Sequence, residues 1–238
     1  MTGRPLQPGL VIHRRDYRDS SLLLELFTLE EGRLPAIARG AKSGRSGRAA
    51  LLQPFLPLQL GLSGRGEIKT LGRVEAEGRA FLLTGKALYC GFYLNELLMR
   101  LLQRADPHRE LFGHYLRALA GLAQGERLEA WLRGFEIDLL EEIGYQMLLH
   151  LEADSGRPVV AGRRYRYVPE RGPVPEEEAG GQPLIQGSTL LALYRREPLE
   201  AGAAREARSL MRRVLRVYLG DRPLHSRELF RGFTPPGA

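Results

Sequence analysis

The sequence predicts an α+β protein, in which an N-terminal small β-barrel in residues 1–80 precedes an α-helical bundle domain in residues 81–238. Two observations predict this order. Short apolar runs separated by turn residues fill the first 80 positions, a pattern typical of strands. After Gly85 the apolar residues recur at intervals of three and four, which is typical of amphipathic helices.

Five strands are predicted in the barrel segment, at residues 9–13, 22–28, 34–38, 55–62 and 67–74. The second strand is followed by a turn in which Gly32 can take a positive φ angle. Five strands in so short a segment favour a closed barrel, because closure leaves no unpaired edge. Their number and length fit an OB-fold.

Helices are predicted at residues 86–103, 108–123, 128–148, 188–195 and 203–219, with a final turn or short helix at 224–230. Each carries an apolar stripe, and burying one Leu or Phe side chain is worth about 1.5–3 kcal/mol, so we expect these helices to pack together. Residues 152–183 contain five prolines among several glycines, which indicates an irregular insert. Within it, residues 163–168 are a candidate short strand with a basic, aromatic face.

The composition is that of a globular protein with a sizeable core, since 43% of the 238 residues are hydrophobic and 26% are charged. No stretch approaches the ~18 apolar residues of a membrane span, and the N-terminus lacks the apolar core of a signal peptide. We therefore expect a cytoplasmic protein without membrane contact. The one cysteine, Cys90, excludes an internal disulfide and a thiolate metal cage.

Positive charge is concentrated near the N-terminus. Residues 1–80 hold 13 Lys and Arg against 8 Asp and Glu, whereas residues 81–238 hold 22 against 20. No acidic residue lies between Glu31 and Glu67, although six basic residues do. Such like charges repel one another, so we expect an external polyanion to balance them, and nucleic-acid phosphate is the obvious one. The alternative is a solvated loop that keeps the protein soluble.

The predicted nucleic-acid contacts share an N-terminal position and a positive charge. They are Arg14, Arg15, Arg18, Arg33, Arg39, Lys42, Arg45, Arg48, Arg65 and Lys69. Residues 39–48 alternate basic residues with Gly and Ser and have no apolar face to bury, so we expect an exposed loop that orders on a bound strand. Neutralising about five phosphates would give a salt slope of about −3.5 for single strands. Lacking the P-loop pattern, the segment predicts no nucleotide binding.

A search for catalytic residues, cofactor sites and metal sites identifies none, so we expect no enzyme activity. The five histidines have no metal-ligand spacing, and no Gly-x-Ser-x-Gly motif is present. Glu67 and Lys69 match the last part of a nuclease motif, but the nearest upstream carboxylate, Glu31, lies more than 30 residues away. A metal nuclease is therefore a minor alternative that predicts Mg²⁺-dependent cleavage.

Several blocks of the sequence resemble the bacterial recombination mediator family RecO. They are residues 11–28, 32–42, 52–55, 87–98, 135–145 and 224–230, and their order and spacing match the family over nearly the whole chain. The resemblance implies an OB-fold followed by a helical domain, binding to single- and double-stranded DNA, strand annealing, and a location at the nucleoid. It implies no ATP use.

The resemblance also implies protein partners. Members of the family work with RecR on strands coated by single-stranded-DNA-binding protein, so that RecA can load. Docking of that protein's acidic, Phe-ended C-terminal tail needs an apolar pocket with a basic rim, for which the candidates are Arg100, Arg117 and Arg133. The residues alone leave a second function open, an OB-fold RNA-binding protein of translation or ribosome assembly, because both classes bind phosphate backbone.

The chain departs from the family pattern in one respect. Many RecO proteins carry a four-cysteine zinc site in the region that corresponds to about residues 152–181, and this chain has no cysteine there. We therefore expect no zinc. Instead, Arg157, Tyr165, Tyr167 and their neighbours are expected to hold the insert together.

Overall fold

A computed structural model describes residues 5–43, 47–179, 183–220 and 222–226. The chain forms two compact units. The barrel unit comprises Met1–Ala123 with Leu224–Ala238, and the helical unit comprises Gln124–Pro223. The change from strands to helices falls near residue 80, but the first two long helices belong to the barrel unit. The domain boundary at 80/81 thus stays a prediction.

Five strands close into a barrel in the order β1-β2-β3-β5-β4. They are β1 Gln7–Tyr17, β2 Ser21–Thr28, β3 Gly32–Ala38, β4 Leu58–Ser63 and β5 Lys69–Ala76. All neighbouring pairs are antiparallel except β3 with β5. A short helix, α1 Arg48–Leu51, which the sequence did not predict, joins β3 to β4. An N-terminal OB-like barrel followed by a helical region is the predicted fold class, which is thereby confirmed.

Alternating side chains decide which face of each strand lies inside the barrel. In β2, Leu22, Leu24 and Leu26 are buried in the core, whereas Leu23 points to the outside and is partly exposed. The core also takes side chains from the other strands and from the chain between β3 and β4, among them Val11, Leu34, Ala36, Ala38, Leu52, Leu58, Leu60, Leu62 and Leu71. This alternation fixes the outer face, where a ligand can bind.

A helical hairpin, α2 Gly85–Leu101 and α3 Arg109–Ala123, completes the barrel unit. A register irregularity in β1 falls at Ile12, whose carbonyl accepts a hydrogen bond of 2.9 Å from Asn95 Nδ2. The Tyr115 hydroxyl donates to Asn95 Oδ1, and burial raises the pKa of Tyr115. Because all these groups are buried, the chain of hydrogen bonds ties both helices to β1.

The C-terminal segment returns to the barrel unit. The Ser226 hydroxyl donates to Glu96 at 2.6 Å, and the backbone N–H groups of His225 and Ser226 donate to the same carboxylate at 2.8 Å. Leu224 is buried beside them. The described part of the predicted final element therefore packs back onto α2, and residues 227–230 lie outside the described residues.

The helical unit combines helices with a small sheet. Its elements are α4 Leu128–Glu142, β6 Arg164–Val168, β7 Gly172–Pro175, α5 Glu176–Ala179, β8 Ile185–Gln186, α6 Gly187–Tyr194 and α7 Ala201–Leu219. The sheet order is β7-β6-β8. Strand β6 lies where a short strand was predicted, and β7, α5 and β8 make the insert more regular than predicted. Pro173 and Pro175 are accommodated because β7 is an edge strand, where a missing N–H breaks no second ladder.

Helix α4 is shorter than predicted, ending at Glu142 and not at residue 148. Gly144 adopts a φ of +88°, and the Tyr145 N–H donates to the Leu140 carbonyl at 2.8 Å. A left-handed glycine with a hydrogen bond back to the last turn ends a helix, although the apolar pattern continues.

Glu152 is buried in the insert, with only 2% of the residue exposed, and several side chains donate hydrogen bonds to it. It accepts hydrogen bonds from the Ser155 hydroxyl, from Arg157 Nε at 3.1 Å, and from Arg163 and the Tyr165 hydroxyl at 3.4 Å. The hydrogen bond from Ser155, helped by the two arginines, lowers the pKa of Glu152 although burial opposes this. These contacts link the start of the insert to β6.

We expect Glu152→Gln to destabilise the protein by about 2 kcal/mol near neutral pH, because hydrogen bonds to a charged group are lost. A carboxyl whose pKa is lowered on folding stabilises the protein above its unfolded pKa, and this stabilisation disappears as pH falls through the folded pKa. Urea unfolding should thus show that the free energy of unfolding differs between the wild type and Glu152→Gln at neutral pH, and that this difference becomes smaller at acidic pH. Glu178→Gln, at an exposed carboxylate 3.8 Å from Arg157, should have little effect. If Glu152→Gln and Glu178→Gln destabilised the protein equally, the buried hydrogen bonds of Glu152 would not be what stabilises the insert.

Candidate nucleic-acid interface

An outward-facing row of side chains crosses four strands of the barrel. Arg15 pairs with Leu23, Leu23 with Ile37, and Ile37 with Thr70. At about 4.8 Å per strand the row spans roughly 14 Å. The outer face of the second and third strands, with the loops after the first and fourth, is where OB-folds bind oligonucleotides and oligosaccharides. The row lies on that face.

Four exposed arginines lie in this row or in the segments next to it, and we call them the basic face. Arg15 lies on β1, Arg18 in the turn between β1 and β2, Arg39 directly after β3, and Arg65 in the loop between β4 and β5. Within the described parts of the chain, none of the four has a carboxylate partner. Their charges are thus available to an external anion.

Apolar and aromatic groups lie among these arginines. Arg18 has a φ of 52°, so the turn itself does not favour an arginine, and its guanidinium carbon lies 5.3 Å from the centroid of the Tyr17 ring. Ile68 in the β4–β5 loop is 50% exposed. With Leu23 and Ile37 these side chains offer surface that unpaired bases can contact. Sequence reasoning missed them, because strand register is needed to place them beside the arginines.

One further predicted contact, Lys42, lies at the rim of the basic face. Lys42 Nζ lies 3.0 Å from an Asp16 carboxylate oxygen that is well exposed. Exposed pairs of this kind contribute little, so a phosphate can replace Asp16 as the partner. An open cleft of about 350 Å³ is lined by Arg14, Arg15, Asp16, Leu22, Lys42 and Ala49. Arg45 lies outside the described residues.

Arg14 and Arg48 bind the protein's own backbone. Arg14 Nη1 donates to the carbonyls of Ala49 at 3.1 Å and Leu52 at 3.3 Å. Arg48 Nη2 donates to two carbonyls of β5, with the bond to Leu71 at 2.8 Å. These arginines hold α1 and the chain after it on the barrel, which sets them apart from the basic face.

Arg33 and Lys69 are also used internally. Arg33 donates to the Met99 carbonyl at 2.9 Å and lies 3.6 Å from Glu25, and burial lowers its pKa. Lys69 donates to the Gly64 carbonyl at 3.3 Å and is only 16% exposed.

The helical hairpin covers part of the barrel's outer face. Phe27 of β2 is fully buried, with its ring centroid 5.4 Å from that of Phe112 on α3. Arg33 reaches the carbonyl of Met99 on α2 in the same region. The basic face therefore lies on the uncovered part.

The candidates for a tail pocket lie in different units. Arg100 on α2 and Arg117 on α3 belong to the barrel unit, and Arg117 is exposed. Arg133 belongs to the helical unit and is buried, with its guanidinium 2.8 Å from the fully buried Glu136. Arg133 is therefore less accessible than the prediction assumed, and its part in tail docking stays a prediction.

The described residues gather no group of three or more His, Cys, Asp or Glu side chains that could hold a metal ion. The insert does not fit zinc, since its buried carboxylate, Glu152, is occupied by hydroxyl and guanidinium donors. Nor is any helix in the described ranges long and apolar enough to cross a membrane.

Comparison with known proteins gives matches over both halves of the chain. Residues 1–78 match the family profile described as "Recombination protein O N terminal", and residues 82–228 match "Recombination protein O C terminal". The protein named "DNA repair protein RecO" of Methylococcus capsulatus is 51% identical over 226 residues, which cover 95% of this chain and 93% of that protein. Its namesake in Halorhodospira halophila is 47% identical over 237 residues, covering 97% and 98%. With an OB-like barrel, a helical region and these matches, the chain belongs to the RecO family.

Proposed function

We propose that this protein is a recombination mediator in DNA repair, which binds single- and double-stranded DNA on the basic face and anneals complementary strands. The observation that carries the proposal is the set of four exposed arginines, which meet no carboxylate among the described residues, on the side of an OB-like barrel where OB-folds bind oligonucleotides. Membership of a family whose relatives are named DNA repair proteins supports it.

Binding follows from the chemistry of the basic face. A guanidinium is planar, stays charged and can donate two parallel hydrogen bonds to a phosphate. Contacts of this kind hold the strand without reading its sequence. Tyr17, Leu23 and Ile37 can meet the bases through their apolar surfaces, which any base can share. The protein should therefore bind strands of any sequence.

Annealing follows from charge neutralisation. Two complementary strands repel each other through their phosphates, and this repulsion slows their encounter. A surface that carries arginines lowers the repulsion around a bound strand and so raises the rate of encounter with the second. No nucleotide hydrolysis is required, because pairing itself is favourable. The described residues provide no metal-ligand group for strand cleavage.

The partners RecR, RecA and single-stranded-DNA-binding protein belong to this proposal, and family membership is their support. For the acidic tail of the coating protein, the candidates with the most accessible positions are Arg100 and the exposed Arg117 on the helical hairpin. An arginine on a helix surface can pair with the carboxylates of an acidic peptide. Arg117→Glu is the variant that tests this docking.

The proposal is tested by an annealing assay with two complementary labelled strands and the full-length protein. We expect faster annealing, no need for ATP, and no effect of EDTA. RNA of equal length should compete for the bound DNA less well than DNA itself. Preference for RNA without accelerated annealing would favour the RNA-binding alternative, and strand cleavage that depends on Mg²⁺ would favour the nuclease.

A further inference from the structure

Helix α7 concentrates the positive charge of the helical unit. The unit, residues 124–223, holds 15 Lys and Arg against 16 Asp and Glu. Residues 201–219, which form α7, hold five arginines and one glutamate. Without α7 the unit would be clearly acidic, so this helix differs in sign from the rest of its unit.

The arginines of α7 also differ in their partners. Elsewhere in the helical unit most arginines meet a carboxylate, as in the pairs Arg133–Glu136, Arg157–Glu152, Arg163–Glu177, Arg171–Asp154 and Arg196–Asp138. On α7 Arg208 meets Glu129. Arg205 and Arg212 have no carboxylate partner within the ranges that the structure describes.

The one glutamate of α7 is turned away from these arginines. Glu206 accepts a hydrogen bond of 2.6 Å from the Thr189 hydroxyl on α6 and one of 3.1 Å from the Gln186 N–H. Its charge is therefore used to join α7 to α6. It leaves the exposed side of the helix without a negative charge of its own.

The exposed arginines lie opposite the packed face of α7. That face consists of Ala204, Ala207, Leu210, Met211, Val214 and Leu215. At 3.6 residues per turn, Arg205, Ser209, Arg212 and Arg216 fall on the other side, and we call them the α7 ridge. The ridge runs for about 17 Å along the helix.

Positive charges lie close together on α7. Arg208 and Arg212 are four residues apart, where like charges repel, and the carboxylate of Glu129 meets Arg208. On the flank of the ridge, burial lowers the pKa of Arg213, whose side chain donates to the Ser209 hydroxyl at 3.1 Å. An external polyanion would relieve both effects.

We propose that the α7 ridge binds the backbone of duplex DNA, the product of annealing, as a second surface besides the basic face. The inference rests on the proposed function and deepens it. A convex helix of about 10–12 Å diameter matches the major groove of duplex DNA, which is about 12 Å wide. Ridge and flank arginines would then face phosphates on both sides of the groove. Single strands instead favour grooves lined with aromatic side chains, whereas the ridge offers arginine and serine.

The test compares Arg205→Gln/Arg212→Gln with a matched pair, Arg171→Gln/Arg195→Gln. The second pair removes the same charge from exposed arginines of the same unit that already meet Asp154 and Glu197. Fluorescence anisotropy would measure binding to a duplex, to a single strand and to a polyglutamate peptide. Circular dichroism would check the fold of each full-length variant.

The Arg205→Gln/Arg212→Gln variant should lose two phosphate contacts, and each contact to duplex DNA releases about 0.9 counterions. We therefore expect roughly 60-fold weaker duplex binding at about 0.1 M salt, with less than about threefold change for the single strand. The matched pair should keep its duplex affinity. The assignment would be overturned if both double variants lost the same duplex affinity. It would also be overturned if the ridge variant lost as much affinity for the single strand as for the duplex. Lost peptide binding with unchanged duplex binding would overturn it in favour of an acidic protein partner.

Repeating the comparison in a variant that lacks three arginines of the basic face separates the two proposals. If Arg15→Gln, Arg18→Gln and Arg39→Gln weaken single-strand binding about 100-fold while the duplex still depends on the α7 ridge, both proposals hold. If that triple change leaves single-strand binding intact and the ridge still governs duplex binding, the basic-face assignment fails alone. If the triple change weakens single-strand binding and the duplex is indifferent to the ridge in both backgrounds, the ridge assignment fails alone.

Discussion

Replacing Arg15, Arg18 and Arg39 together by glutamine is expected to weaken binding of single-stranded DNA about 100-fold at about 0.1 M monovalent salt. The estimate takes one phosphate contact for each arginine and about 0.7 counterions released per contact. All three side chains are exposed and take no part in the described hydrogen bonds, so the variant should unfold at the same urea concentration as the wild type. The measurement is anisotropy of a labelled strand.

The control removes the same charge from other exposed arginines of the barrel unit. Arg73, Arg104 and Arg109 each face a carboxylate, at Glu75, Glu25 and Glu30 respectively. Replacing these three by glutamine should reduce the affinity by less than about fivefold, since their charge is already neutralised locally. Comparable losses in both triple variants would show that total charge, not the basic face, governs binding.

Gly32→Ala is expected to destabilise the protein by about 4 kcal/mol, the largest effect of a single change that we predict. Gly32 has a φ of +66°, and a Cβ atom there would lie 1.8 Å from the backbone oxygen of Asp106. Backbone cannot move aside as a side chain can. The clash would push the β2–β3 turn from the α2–α3 connection, where the Ala105 N–H donates to the Arg33 carbonyl at 2.8 Å.

Gly40→Ala separates the two causes of this effect. Gly40 has nearly the same φ, +65°, but the nearest atom to its Cβ would be the Ser43 hydroxyl at 3.7 Å. Gly40→Ala should therefore destabilise the protein only by the energy that an alanine needs in the left-handed conformation, about 1 kcal/mol. Urea unfolding of both variants measures the difference. Similar losses would mean that the close approach of Asp106 does not stabilise the turn.

The barrel could be predicted because its signals are local. Leu22, Leu24 and Leu26 alternate with residues that point outward, and that period of two requires no knowledge of the rest of the chain. The end of α4 and the two strands that pair with β6 were not predicted, because they depend on backbone conformation at Gly144 and on which strand lies at the edge. Neither can be read from apolar spacing.

Only part of the candidate site could be predicted from the sequence. Counting charges shows which residues are basic, but it does not show which backbone carbonyls they bind. Arg14 and Arg48 lie in the basic N-terminal region and yet bind the backbone of the barrel unit. Arg133 looked like a surface arginine, although Glu136 one turn later pairs with it inside the helical unit. Long-range partners of this kind depend on the folded structure.

The most direct test of the central claim is the salt dependence of single-strand binding by the full-length protein. If the four arginines of the basic face each meet a phosphate, the logarithm of the binding constant should fall with the logarithm of salt concentration with a slope of about −3. In the Arg15→Gln, Arg18→Gln, Arg39→Gln variant the slope should fall to about −0.7. A slope that this variant leaves unchanged would contradict the claim that these arginines hold the strand.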